Sequence, residues 1–245
     1  MISRCFDKDR VMTNVLSLDD SEYLKGIILM YLNAYGTEYD FCEFYLQTDN
    51  IGKVTAVSLR YNTFLYCIIG DEAYTEEISL WLGGFGQVTV FANIQLPAEH
   101  SDKCILMHRR GSVAADKNRV VNVNSSADIM KISRMVNKDL SEDIAKEYFL
   151  DLSYLLRHNT AEIKGVFSDE EIVSFMMISR PVLGKSVINL VYTSEDFRGN
   201  GYASAVISGA LTDDVDYYLI CAESLKRFYE RNGFTPSDIC YKLYL

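Results

Sequence analysis

Apolar and polar residues alternate along the chain with two different periods, and the changes of period predict the elements. Residues 21–35 place Tyr23, Ile27, Met30 and Tyr31 three or four positions apart, the spacing of one helix face, with Ser21 at the N-cap position. Residues 41–47 and 54–60 are β-rich runs joined by a polar turn that holds Asp49, Asn50 and Gly52, which predicts an antiparallel hairpin. A third such run covers residues 63–69. A short helix over 73–82 ends at Gly83 and Gly84, and a strand covers 87–93. Residues 103–137 carry no clean period, so the connection between two domains is expected there.

The second half is patterned more clearly. Residues 141–158 predict an amphipathic helix with Ile144, Tyr148, Leu152, Leu155 and Leu156 on one face. Ser141 can cap it, and Glu142 and Asp143 suit the positive end of the helix dipole. Runs 161–167 and 172–179 form a second hairpin about Ser168, Asp169, Glu170 and Glu171. A strand over 186–193 then leads through a glycine loop into a helix over 201–211. A strand over 216–222, a helix over 224–232 and a last strand over 239–245 complete the chain. Both halves run helix, hairpin, third strand, helix, strand, which suggests an internal duplication. The expected fold class is α/β, with a mixed α+β sheet in two similar halves, residues 1–125 and 126–245.

Composition narrows the function classes. The chain has 245 residues, 49% hydrophobic and 24% charged, ordinary globular usage that excludes intrinsic disorder. Twenty-four basic against 34 acidic residues give a net charge of −10. That balance argues against a sequence-independent grip on nucleic acid, which depends on many Lys and Arg reaching phosphates. No apolar run approaches the roughly 18–20 residues that span a membrane. The charged start of the chain does not read as a signal peptide, so a cytoplasmic protein is expected. Cys5, Cys42, Cys67, Cys104, Cys221 and Cys240 form no C-x-x-C pair and have no His at metal-ligand spacing. They read as reduced core thiols, and no metal site is expected. The sequence leaves a homo-oligomer open.

The chemistry concentrates in one loop. Leu190, Val191, Tyr192 and Thr193 end a β-rich run, and Arg198, Gly199, Asn200, Gly201, Tyr202 and Ala203 follow where a helix begins. Glycines let backbone turn tightly and approach a ligand, and amides at a helix start point at an anion. Pyrophosphate is the natural occupant, although a lone G-x-G also serves as a plain strand-to-helix turn. A dinucleotide fold wants G-x-G-x-x-G, and here Ser204 stands at the third glycine. Glu223 lies near the spacing of a ribose-binding acid, but only 22 residues follow it, too few to complete a doubly wound sheet. No Gly-Lys-Ser/Thr follows the loop, which excludes a P-loop.

Arg198-x-x-Gly201-x-Ala203 resembles the Q/R-x-x-G-x-G/A signature of the GNAT N-acyltransferases. The stretch Arg227, Phe228, Tyr229, Glu230, Arg231, Asn232, Gly233, Phe234 resembles that superfamily's second landmark, a helix ending in F-Y-E-K-x-G-F. The resemblance covers residues 141–245. It is nearest to the branch whose active C-terminal domain follows a degenerate N-terminal one. The first half fits that role by element order; Ile69, Gly70, Asp71 and Glu72 stand where its cradle would be.

The resemblance implies an acetyl-CoA-dependent N-acetyltransferase acting on a primary amine of a small molecule by direct attack. It implies that the backbone of residues 189–193 pairs with pantetheine, that the amides of Gly199 to Ala203 hold the pyrophosphate, and that Arg198 shapes the loop. Tyr229 stands at the usual general acid, and Glu223, then Glu162, are the candidate bases. Ser224 stands where the family often has a pantetheine-holding Asn. Read from its helix face alone, Tyr229 is also a core residue beside Leu225 and Phe228. Cys221 reads as core, because the only His in this half, His158, lies on a distant helix. The rival from another class is a CoA-binding sensor or scaffold without turnover; a nucleotide-binding oxidoreductase stands third.

Overall fold

The computed structural model describes residues 1–18, 21–111 and 120–245. They pack as two compact units, residues 1–108 with 218–245 and residues 109–217. Part of the stretch where the domain connection is expected, residues 112–119, lies outside the described residues.

In chain order the elements are β1 (Ile2–Arg4), α1 (Lys8–Ser17), α2 (Glu22–Tyr35), β2 (Cys42–Thr48), β3 (Val54–Tyr61), β4 (Phe64–Ile69), α3 (Thr75–Gly83), β5 (Thr89–Ala92) and β6 (His100–Arg110). There follow β7 (Val121–Asn122), α4 (Ser126–Val136), α5 (Glu142–Arg157), β8 (Ala161–Ser168), β9 (Glu171–Ser179), β10 (Lys185–Thr193) and α6 (Tyr202–Ala210). Last come β11 (Asp216–Cys221), α7 (Lys226–Arg231) and β12 (Thr235–Tyr244).

The first unit holds strands in the order β1-β2-β3-β4-β5-β12-β6. The β2–β3 turn is built by Asp49, whose carboxylate accepts the amides of Ile51 (2.9 Å) and Lys53 (2.8 Å). β4 and β5 run parallel, and β12, the last strand of the chain, lies antiparallel between β5 and β6. Helix α3 covers this sheet with Ile78 and Leu82, which pack on Leu65, Val90 and Leu243. Each such side chain contributes about 1.5–3 kcal/mol on full burial.

In the second unit the order is β10-β9-β8-β7, all antiparallel. Asp169 and Glu170 join β8 to β9 with φ of 48° and 66°. Two successive positive φ values are those of a type I′ turn, whose twist matches a hairpin. This is the hairpin expected from the sequence.

The repeat of element order is fuller than the sequence pattern predicts. Each half runs strand, two helices, three strands, helix, strand: β1 to β5 with α1 to α3, then β7 to β11 with α4 to α6. In each, the short first strand pairs antiparallel with the second.

Several sequence expectations are corrected. Residues 103–137 contain most of β6 and all of α4, a short helix capped by the Ser125 hydroxyl on the Asp128 amide at 3.1 Å. Its buried side is only Ile129, Ile132 and Ser133, too brief a stripe to stand out. Helix α2 is buried on all sides rather than on one face, because it packs against both α1 and β4. Ser21 takes its N-cap position without a side-chain capping bond. Helix α5 buries Ala145, Leu152 and Leu155 while Ile144 is exposed, since α4 and β8 take the face on which Ala145 lies. The expected helix over 224–232 is a 3₁₀ turn, Glu223–Leu225, followed by the short α7.

Candidate functional site

The residues singled out from the sequence fall in both units: 190–203 in the second, and Glu223, Ser224 and Tyr229 in the first. In the second unit the approach to the loop is a distorted strand. Ile188 faces Ile178 on β9 but Leu190 faces Met177, so Asn189 is the extra residue of a β-bulge. A bulge bends its strand and raises the local twist. From Asn189 to Thr193 the strand is half-buried, whereas Ser186, Val187 and Ile188 are buried. Tyr192 stacks on Phe175 with ring centroids 5.5 Å apart.

Beyond Thr193 the chain makes a 3₁₀ turn, Glu195–Phe197, and enters the glycine loop. Gly199 and Gly201 have φ of 80° and 77°, a left-handed backbone that costs other residues about 1–2 kcal/mol. Gly201 is the N-cap of α6. The first intrahelical bond runs from the Ala205 amide to Gly201 O at 3.0 Å. The amides of Ala203 and Ser204 precede it, at the positions where a helix start offers no intrahelical acceptor. A Cβ placed on Gly199 or Gly201 would meet nothing within 4 Å, so the loop is open above the backbone. No acidic residue sits in the first turn of α6. Open amides, a positive helix end and clear space fit a pyrophosphate.

The rim is held by ion pairs. Arg198 donates from Nε to Thr193 O at 3.2 Å and reaches Glu195 at 3.6 Å. Glu195 also binds Lys138 Nζ at 2.7 Å, and that contact holds its carboxyl below the usual range. Asn200 folds its side-chain amide back onto Phe197 O and Arg198 O, both at 3.3 Å.

The matching place in the first half is closed, which the sequence does not reveal. The Gly70 amide donates to Thr55 O at 2.9 Å and the Ala73 amide to Gly70 O at 3.0 Å. Buried Gln47 accepts the Tyr74 amide at the start of α3 and donates to Glu77, at 3.0 and 2.8 Å. Glu76 and Glu77 occupy the first turn of α3, and Asp71 and Glu72 precede it. The protein's own groups thus hold the amides of Gly70, Ala73 and Tyr74, and carboxylates flank the start of α3.

Tyr229 is buried on α7, edge-on to Phe228 (5.0 Å) and Phe234 (5.8 Å). Burial pushes its phenol up to about 12, with a smaller contribution from Cys221. Its hydroxyl makes no hydrogen bond among the described residues. Cys221 is buried and its thiol is pushed up to about 11 by that burial, as suits a core residue. Glu223 and Ser224 are exposed on the 3₁₀ turn. Glu162, in the second unit, is tied to Lys164 (3.1 Å) and Arg180 (3.3 Å).

No protein-family profile matches the chain, and no curated protein matches it by sequence. Solved structures do. A tandem GNAT protein from the clavulanic acid biosynthesis pathway aligns over 100% of this chain and 98% of its own, with a TM-score of 0.64 and 9% identity. A GCN5-related N-acetyltransferase from Sphaerobacter thermophilus aligns over 100% and 95%, with a TM-score of 0.60 and 13% identity. A GNAT-family acetyltransferase from Colwellia psychrerythraea aligns over 100% and 99%, with a TM-score of 0.59 and 10% identity. The chain thus shares the fold of these GNAT acetyltransferases.

Proposed function

We propose that the protein is an N-acetyltransferase that moves an acetyl group from acetyl-CoA to a primary amine of a small molecule. The observation that carries this reading is the loop after β10. Two left-handed glycines open the backbone at the start of α6, in clear space and with no acid in the first turn of that helix. In the first half Gln47 holds the Tyr74 amide at the equivalent place and carboxylates flank it, which supports a division of work between the halves. We read residues 126–245 as the working half and residues 1–125 as its degenerate companion.

In this reading the half-buried backbone of Leu190 to Thr193 holds the pantetheine arm, and Ser224 adds a contact. The amides of Gly199, Asn200, Gly201, Tyr202 and Ala203 hold the pyrophosphate, with Arg198 fixing the loop. Glu223 accepts the proton of the attacking amine as the C–N bond forms. The C–S bond breaks, and Tyr229 donates its proton to the departing sulfur. A phenol held near 12 is fully protonated at neutral pH, the form a donor needs. Positioning supplies much of the remaining acceleration. The net charge of −10 suits a cationic amine in solution.

Thiol release from acetyl-CoA across a panel of small amines tests the proposal. Release with at least one amine is expected. CoA binding without release across the panel would instead make the protein a sensor or scaffold.

A further inference from the structure

We infer that Ser174, on the strand beside the candidate site, positions the cradle loop. Ser174 is wholly buried on β9. Its hydroxyl donates to Tyr192 O at 3.0 Å. That bond uses its single hydrogen, so at 2.9 Å it is the Thr193 hydroxyl that donates to Ser174 Oγ. One buried hydroxyl therefore grips the last two residues of β10. The Ser194 amide adds a bond to Val173 O at 2.9 Å. Thr193 in turn offers its carbonyl to Arg198 Nε at 3.2 Å, and Arg198 shares Glu195 with Lys138. The chain of contacts runs without a gap from the core of β9 to the exposed rim.

This grip sits where the strand needs it. The bulge at Asn189 offsets β10 from β9 three residues earlier, and the loop begins immediately after Thr193. Leu190 to Thr193 stay paired with β9 up to the loop, and the Ser174 hydroxyl reinforces the last two residues of that ladder. Fixing Tyr192 O towards β9 sets the direction of the peptide planes that follow. Ser174 touches no ligand in this account and acts through Tyr192, Thr193 and Arg198, so it is a positioning residue.

The inference stands on contacts within the second unit, and only its binding readout rests on the acetyl-CoA reading. The test compares Ser174→Ala, Ser174→Thr and Thr193→Val in the full chain. Without ligand, the amides of Ser194, Phe197 and Arg198, each hydrogen-bonded here, should exchange about tenfold faster in Ser174→Ala. Amides of α5 should keep their rates. KM for acetyl-CoA should rise about tenfold with kcat unchanged, and Ser174→Thr should recover most of it. Thr193→Val gives the same exchange readout should Ser174→Ala fail to fold. Unchanged exchange at residues 194–198, or a fall in kcat with uniform loss of protection, would overturn the role. A chain that binds no acetyl-CoA yet shows the local exchange change would keep this inference and sink the proposed function.

Discussion

Asn93 clamps Ile69 from both sides: its Oδ1 accepts the Ile69 amide at 2.9 Å and its Nδ2 donates to Ile69 O at 2.8 Å. The two residues lie just past the paired ends of β5 and β4, so a side chain extends the pairing where the main-chain ladder stops. With Gln47 holding the Tyr74 amide, side chains occupy backbone groups at the place in the first half that matches the cradle. One CoA per chain is therefore expected, countable by native mass spectrometry. Two bound at saturation would show that the first half opens.

Asn93 also bears on stability. Asn93→Ala removes two hydrogen bonds and leaves the backbone groups of buried Ile69 without that partner, a loss of about 1–3 kcal/mol. Denaturant midpoints at unchanged slope would show it; a midpoint equal to that of the parent chain would mean that water replaces the clamp.

Gly201→Ala isolates backbone conformation from crowding. The new methyl group would meet nothing in the protein, yet φ of 77° is strained for alanine by about 1–2 kcal/mol. The chain should still fold, with CoA affinity falling 10- to 100-fold in calorimetry. Unchanged affinity would mean that the loop does not bind the pyrophosphate.

Much of this site is legible in the sequence, and the reason is local. Gly199 and Gly201 are required by their own backbone angles, so they mark the loop whatever surrounds it. The same holds for Ser141, whose hydroxyl caps α5 on the Ile144 amide at 3.4 Å. What stays hidden depends on distant partners. Gln47 reads as one polar residue in a strand, and only folding brings it to Tyr74, 27 positions away. Asn93 and Ile69 meet across 24 positions. Strand β6 pairs with β12 from the other end of the chain, Cys104 opposite Cys240, and neither sequence stretch signals the other. Short helix α4 and the full burial of α2 follow from neighbours too.

Tyr229→Phe should lower kcat about 10²–10⁴-fold, the range of a positioned proton donor, with little change in CoA affinity. Equal turnover would leave Tyr229 as core packing.

The same tyrosine fixes a pH signature. Its phenol stands at about 12 in the folded chain against an ordinary value of about 10. The protonated form is thus favoured by folding, so its contribution is complete below pH 10 and is lost as pH rises from 10 to 12. Tyr148, also held up to about 12 by burial, adds to that loss. In Tyr229→Phe the alkaline fall in stability should be shallower by one proton. An identical slope would contradict the burial of the phenol.

Glu223→Gln should reduce turnover at neutral pH about 10²-fold or more while leaving CoA binding intact. Turnover that survives unchanged would assign the proton to water or to another carboxylate.

The central claim is that the loop from Arg198 to Ala203 binds the pyrophosphate of an acyl-CoA. Calorimetric titration of the full chain with acetyl-CoA tests it most directly. Saturable binding with a one-to-one ratio and a Kd well under ~1 mM is predicted; no heat of binding at ~1 mM, an affinity weaker than about −4 kcal/mol, would contradict it.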